Sequence, residues 1–385
     1  MTGLETGSMT ANERASRHVG SWLWWIRPWA GSLALGVGLA GCAATTEPGG
    51  PVTPTPEAAA PRQAVVPEAY ESPRLNGDNV DSLAVWAPGG WLLATAKASD
   101  SVVVLEVASG AVVRRLGGSG SGPGQFSRPN GVAVVDDLLV VVERDNRRVQ
   151  VISLPDLTTV AIVGAGVLRF PYGVAAYASG AGRYELYVTD SYQRPDDTVP
   201  PEAELGERVK HFRLEREGAT LRSTLVRSFG ATSGAGALHV VESIAADPAA
   251  GRLLVADEAD GRHDIKVYSL DGEFTGQVFG HGLFQADPEG IALVECGDGG
   301  FWVTTDQQKE RTVFYLLDRT TFAVRGSFNG NVVANTDGIV TATGPVKGFP
   351  AGAVFAVHDD VSVAAFAWPA IAEKLGLPAP CRTSF

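Results

Sequence analysis

Acids recur at one position of a repeated phrase in this chain. Six segments open with a polar residue, then Gly or Ser, then an aliphatic: Asp81-Ser82-Leu83, Asn130-Gly131-Val132, Tyr172-Gly173-Val174, Glu242-Ser243-Ile244, Glu289-Gly290-Ile291 and Asp337-Gly338-Ile339. Each leads into an apolar run that ends on a second polar cluster. Around the repeats this cluster reads Lys97, Arg144, Asp190, Asp257-Glu258, Asp306 and His358-Asp359. Brought around one axis, Asp81, Glu242, Glu289 and Asp337 raise one another's pKa unless a cation neutralises them. Calcium takes several oxygen ligands in flexible geometry and is the natural candidate. The second cluster is basic in its first two repeats and acidic in the later four. A mouth with a basic side and an acidic, calcium-loaded side suits a phosphate polyanion. Lys97 and Arg144 would hold its oxygens, while metal would bridge phosphate to carboxylate and activate water for in-line attack. Singly, an acid before Gly often serves a turn, and a base after a strand is often only solvated. The case rests on six equivalent positions, and His358 alone is assigned no catalysis.

The elements that must position these residues are short strands. A period near 40 residues is the mark of propellers and arrays. Segments 81–117, 130–164, 172–230, 242–280, 289–328 and 337–376 share one grammar, shown by the second. Gly131-Val132-Ala133-Val134-Val135 comes first, then Leu138-Leu139-Val140-Val141-Val142. Arg148-Val149-Gln150-Val151-Ile152 alternates, and a run from Thr158 to Val163 closes the unit. Short β-branched runs between Gly, Asp and Asn turns are strand signals. Four strands per unit and six units predict an all-β fold, a six-bladed β-propeller. The one helical piece expected is Trp368–Leu375. Residues 192–207, with Pro200-Pro201, break the strand pattern and read as an exposed loop. The Gly-rich run 117–124 lacks a following Lys-Ser/Thr, so it reads as a connector and not a phosphate loop. No Gly-x-Ser-x-Gly elbow and no His-Glu-x-x-His helix occurs, so those hydrolase routes lack support.

The 385 residues are 45% hydrophobic, enough for one large β domain, here 75–385. A formal charge of −12 speaks against nucleic-acid binding through phosphates. Residues 1–41 read as a lipoprotein signal peptide. Arg14 and Arg17 precede an apolar stretch that closes on Leu39-Ala40-Gly41-Cys42, similar to a bacterial lipobox, which would put lipid on Cys42. An ordinary secretory signal is the alternative. Residues 42–74, rich in Pro, Ala and Thr, read as a disordered tether. In an exported protein the two remaining cysteines, Cys296 and Cys381, can form a disulfide, or stay as free buried thiols. The expected form is a monomer lipid-anchored to the bacterial cell envelope, at the outer membrane or cell surface.

The chain also resembles the β-propeller phytases from about Asp81 to Leu377. Ala286-Asp287-Pro288-Glu289-Gly290-Ile291 is similar to that family's Asp-x-Glu-Gly segment, and Thr336-Asp337-Gly338-Ile339 to its Thr-Asp-Gly-Ile. Phe349-Pro350-Ala351-Gly352, His358-Asp359 and the stretch from Trp368 to Leu375 follow its closing blade. Asp81-Ser82-Leu83-Ala84-Val85-Trp86 is similar to its Asp-Asp-Pro-Ala-Ile-Trp. The resemblance implies a calcium-dependent 3-phytase-like enzyme that releases phosphate from myo-inositol hexakisphosphate or a related phosphoester. It implies phosphate contacts from Lys97, Arg144 and Tyr172. It implies metal-binding acids at Glu242, Asp257, Glu258, Asp287, Glu289 and Asp337. The chain departs from the family at Ser191, where a phosphate-binding Lys is expected, near Asn331, where an acid is expected, and over 361–366, which lack a polar grip. A second resemblance competes. Gly122-Pro123-Gly124-Gln125-Phe126, with Arg128-Pro129-Asn130-Gly131-Val132 and Asn146-Arg147-Arg148-Val149-Gln150-Val151, is similar to an NHL repeat, and such propellers often bind partners without chemistry.

Overall fold

The computed structural model describes residues 61–296 and 299–377. They begin with two short strands, β1 (Arg62–Val65) and β2 (Tyr70–Glu71). Blade 1 follows as β3 (Val80–Trp86), β4 (Trp91–Ala96), β5 (Ser101–Glu106) and β6 (Val112–Gly117). Blade 2 is β7 (Pro129–Val135), β8 (Leu138–Glu143), β9 (Arg148–Ser153) and β10 (Thr158–Val163). Blade 3 is β11 (Pro171–Gly180), β12 (Arg183–Asp190), β13 (Val209–Glu217) and β14 (Thr220–Phe229). Blade 4 is β15 (Ile244–Asp247), β16 (Arg252–Asp257), β17 (Asp264–Ser269) and β18 (Phe274–Phe279). Blade 5 is β19 (Ile291–Cys296), β20 (Gly299–Asp306), β21 (Val313–Asp318) and β22 (Val324–Asn329). Blade 6 has three strands of its own, β23 (Ile339–Ala342), β24 (Ala353–His358) and β25 (Ser362–Ala367), before α1 (Trp368–Leu375). The expected six-bladed β-propeller is the observed fold, and the helix falls where the sequence places it.

The middle strands of each blade are apolar on both faces because each blade is covered by two neighbours. Leu138 to Val142 of β8 are fully buried, whereas β6, on an outer edge, is mostly exposed. Six apolar clusters result, one for each interface between blades. Leu93 and Val104 of blade 1, for example, meet Leu139 and Ile152 of blade 2.

Residues 61–74, expected to belong to the disordered tether 42–74, contain β1 and β2 instead. β2 pairs antiparallel with β25 and supplies the missing fourth strand of blade 6, and β1 adds in parallel to β22 of blade 5. The segment gains order from contacts far along the chain: Val66 is fully buried, and Glu68 accepts the backbone N–H groups of Asn331, Val332 and Val333 at 2.9–3.1 Å. An acid does reach the loop at Asn331, but from the other end of the chain. Of the expected exposed loop 192–207, residues 193–198 are exposed, whereas Tyr192, Pro200 and Leu205 are buried and Glu202–Glu204 form a single 3-10 turn. Cys296 is disulfide-bonded. Cys381, Cys42 and the signal segment lie outside the described residues.

Candidate functional site

The Gly or Ser of each phrase is a matter of closing the ring. A Cβ on Gly131 would lie 2.4 Å from the Tyr172 carbonyl oxygen, one on Gly173 2.1 Å from that of Glu242, and one on Gly338 2.3 Å from that of Asp81. Ser243 instead donates its hydroxyl to the Glu289 carbonyl, and Thr95 reaches the Asn130 carbonyl at 2.6 Å. The inner strands are thus drawn edge to edge around a cavity of about 350 Å³, with Asp81, Tyr172, Glu242, Glu289 and Asp337 among its lining residues.

The second polar cluster divides into two positions with different duties. The residues that end the second strands, Glu143, Asp190, Asp257 and Asp306, are fully buried. They hold the loop that leads into their own blade's first strand. Asp190 accepts from Arg169 and Phe170 N–H, Asp257 from His239 and Val240, Asp306 from Gln285 and Ala286, and Glu143 from Ser127. His358 Nδ1 accepts from Ala334 N–H in the same place. Asp257, which the resemblance implies as a metal ligand, is here taken up by protein donors. Lys266 lies 2.7 Å from it and His239 2.9 Å, and these partners hold its pKa low against the effect of burial.

One residue further on stand Lys97, Arg144, Ser191, Glu258, Gln307 and Asp359, of which Lys97, Arg144, Glu258 and Gln307 reach the residues that open the phrases. Lys97 is not a free phosphate grip. Its Nζ sits 2.8 Å from Asp81 and 3.2 Å from Asp337, and Gln307 donates to Asp337 at 2.5 Å. Burial opposes the charge on Lys97, but the two aspartates outweigh it and raise its pKa. Asp81 and Asp337, expected as metal ligands, thus already have a cation. Ser191 Oγ accepts from Val241 N–H at 3.2 Å.

Glu242, Glu258 and Glu289 present carboxylate oxygens that all lie within 4.8 Å of one another. Glu258 Oε1 is buried with no hydrogen-bond partner. Burial and then Asp81 push the Glu242 carboxyl up to about 8. Burial and then mutual repulsion raise Glu258 and Glu289 well above the carboxylate range. Asp337 is pushed up to about 7 by burial and then Asp81, with Lys97 opposing. Asp287 is half exposed, lies 3.2 Å from His263, and adds to the repulsion that raises Glu258 and Glu289. Arg144 lies 2.7 Å from Asp145, over the Phe170 ring at 4.9 Å, and its hydrogen bond to Tyr172 helps keep it charged against burial. Burial and then Glu242 push the Tyr172 phenol up to about 12.

A triad of half-buried carboxylates with no ion-pair partner among the described residues fits a divalent oxygen-seeking cation. The orphaned Glu258 oxygen is the donor such an ion would complete.

No family model matches the chain, and no curated protein matches it. Among solved structures it is similar to the β-propeller domain of Cps50 (Swd1) from Myceliophteria thermophila, with 10% identity, 78% of this chain and 100% of that one covered, and a TM-score of 0.45.

Proposed function

We propose that the protein is a calcium-dependent phosphomonoester hydrolase of the β-propeller phytase type. In this reading it is exported, held at the bacterial cell envelope by lipid on Cys42, and acts as a monomer on a polyphosphorylated small molecule such as an inositol phosphate. The observation that carries the reading is the triad Glu242, Glu258 and Glu289 on the same mouth as Arg144 and Tyr172. Calcium would be held by those three glutamates. When bound, such an ion neutralises phosphate charge and lowers the pKa of a water it holds.

The chain's own residues do the binding. A guanidinium carries five N–H donors in a planar fork. Asp145 and Tyr172 engage part of the Arg144 fork and the Phe170 ring fixes its plane, which leaves donors for phosphate oxygens. With its pKa pushed up to about 12, Tyr172 stays protonated, and its single O–H, which bonds Glu242, is the donor a phosphate oxygen would compete for.

The second reading is a non-catalytic propeller that binds a ligand or protein at this mouth, as the NHL-like second blade implies. It is favoured by Lys97 being engaged by two aspartates and by Ser191 standing where a lysine is expected.

Phosphate release from phytate and from p-nitrophenyl phosphate, each with and without calcium, separates the two. The enzyme reading expects calcium-dependent release that Arg144→Ala lowers by about 10²-fold or more. It also expects Glu258→Gln to weaken the calcium dependence. Folded wild-type protein that releases no phosphate from either ester would leave the scaffold reading.

A further inference from the structure

The ring contains two pairs of acids on adjacent blades. Asp337 and Asp81 meet across blades 6 and 1, and Glu242 and Glu289 across blades 4 and 5. Each pair receives one more charged side chain from the residue just past a second strand: Lys97 reaches back from blade 1 to Asp337 of blade 6, and Glu258 reaches forward from blade 4 to Glu289 of blade 5. The backbone fixes this equivalence. Lys97 N–H donates to the Asn79 carbonyl, and Glu258 N–H to that of Val240, each acceptor lying two residues before the acid that opens its blade. To one pair this position delivers an ammonium, and to the other a third carboxylate.

We infer that Lys97 is a built-in cation that closes the Asp81–Asp337 half of the ring to metal and leaves the Glu242–Glu258–Glu289 half as the one that takes a divalent ion. Lys97 Nζ lies where a bridging ion would have to sit, at 2.8 Å and 3.2 Å from one oxygen of each aspartate. The amide of Gln307 takes the second oxygen of Asp337, and Ser82 Oγ donates to the second oxygen of Asp81 at 3.1 Å. Both carboxylates are thereby satisfied by protein donors. Asp360 adjoins this half, and its Oδ1, like Glu258 Oε1, is buried without a partner, but Lys97 supplies a cation here, whereas among the described residues no ion pair reaches the three glutamates. The residue at this one position decides which half of the ring is selective for metal. Lys97 is therefore a positioning residue that orients two aspartates and excludes an ion. This role concerns metal occupancy and does not require turnover.

The test is an exchange of the two equivalent residues, read by calorimetric titration with calcium alone and by terbium luminescence. Lys97→Glu puts a carboxylate in place of the ammonium beside Asp81 and Asp337, and it is expected to bind one more calcium ion than the wild type. Glu258→Lys is expected to bind one fewer. A folded K97E protein with an unchanged calcium count would overturn the inference. Should K97E not fold, Asp337→Asn is measured with Lys97 in place. Retention of the wild-type count supports the inference, and loss of an ion refutes it. Failure of the hydrolase reading leaves these counts untouched. Calcium binding by K97E to a chain that releases no phosphate would separate the two.

Discussion

One peptide bond separates Asp257, which the fold needs, from Glu258, which the mouth needs. Asp257 accepts two backbone N–H groups and faces Lys266 in a fully buried pair. Removing one partner of such a pair leaves a stranded charge, a loss of about 3–5 kcal/mol. Because Asp264 also contacts Lys266 at 2.7 Å, Asp257→Asn is expected at the low end, about 3 kcal/mol. A lower denaturant midpoint with calcium affinity unchanged would show it; a fall in affinity at unchanged stability would return Asp257 to the metal site. The same one-residue step explains what the sequence left hidden. It shows polar residues at the ends of six strands, but a step of one along a strand reverses the side on which a chain lies. Asp190, Asp257 and Asp306 therefore read as companions of Lys97 and Arg144, although they are structural and the mouth is built one position later. The lysine's engagement by Asp81 and Asp337 was equally illegible, since those partners lie 16 and 240 residues away in the chain.

At the scale of the strand, the repeated phrase was legible because packing demands it. Its apolar part fills the interface between blades, and its small residue allows inner strands to touch. Gly173 shows the demand most sharply, since the clash of an added Cβ would be with backbone and cannot be relieved by a side-chain rotation. Gly173→Ala is expected to destabilise by about 3 kcal/mol, the upper end for overpacking. Gly180 lies at the far end of the same strand, and a Cβ there would meet nothing within 4 Å. Thermal unfolding should separate the two alanine variants. Equal melting temperatures would show that the ring tolerates a gap. The N-terminal strands were not legible in the same way, because polar Pro-rich composition conceals a short β-pairing whose partner is remote.

For the molecule as a whole, the carboxylate ring couples stability to pH. Glu242, raised from 4.5 to about 8, and Asp337, raised from 3.8 to about 7, hold protons in the folded state that the unfolded chain has released. The stability they contribute is complete below their unfolded pKa values and is lost as pH rises through the folded ones. The window from pH 6.5 to 8.5 spans their folded values; Glu258 and Glu289, raised by the same ring, act in the same direction, and burial lowers the pKa of His211, which keeps it neutral there. Without calcium the melting temperature is expected to fall by about 5 °C across that window. Millimolar calcium should abolish the fall by taking the place of the protons. A melting temperature that is flat with pH in a chelator would contradict this account of the ring.

Blade 6 is completed by a strand from the opposite end of the chain, and Ser362 bonds Glu71 across 291 residues. Synthesis at about 5–20 residues per second puts roughly 15–60 s between the making of those two partners. For that interval β2 exists with no strand to pair with, and blade 6 does not exist at all. Closure of the ring therefore waits for β25: five blades can gather as they emerge, but the sixth is complete only once Ser362–Ala367 has been made.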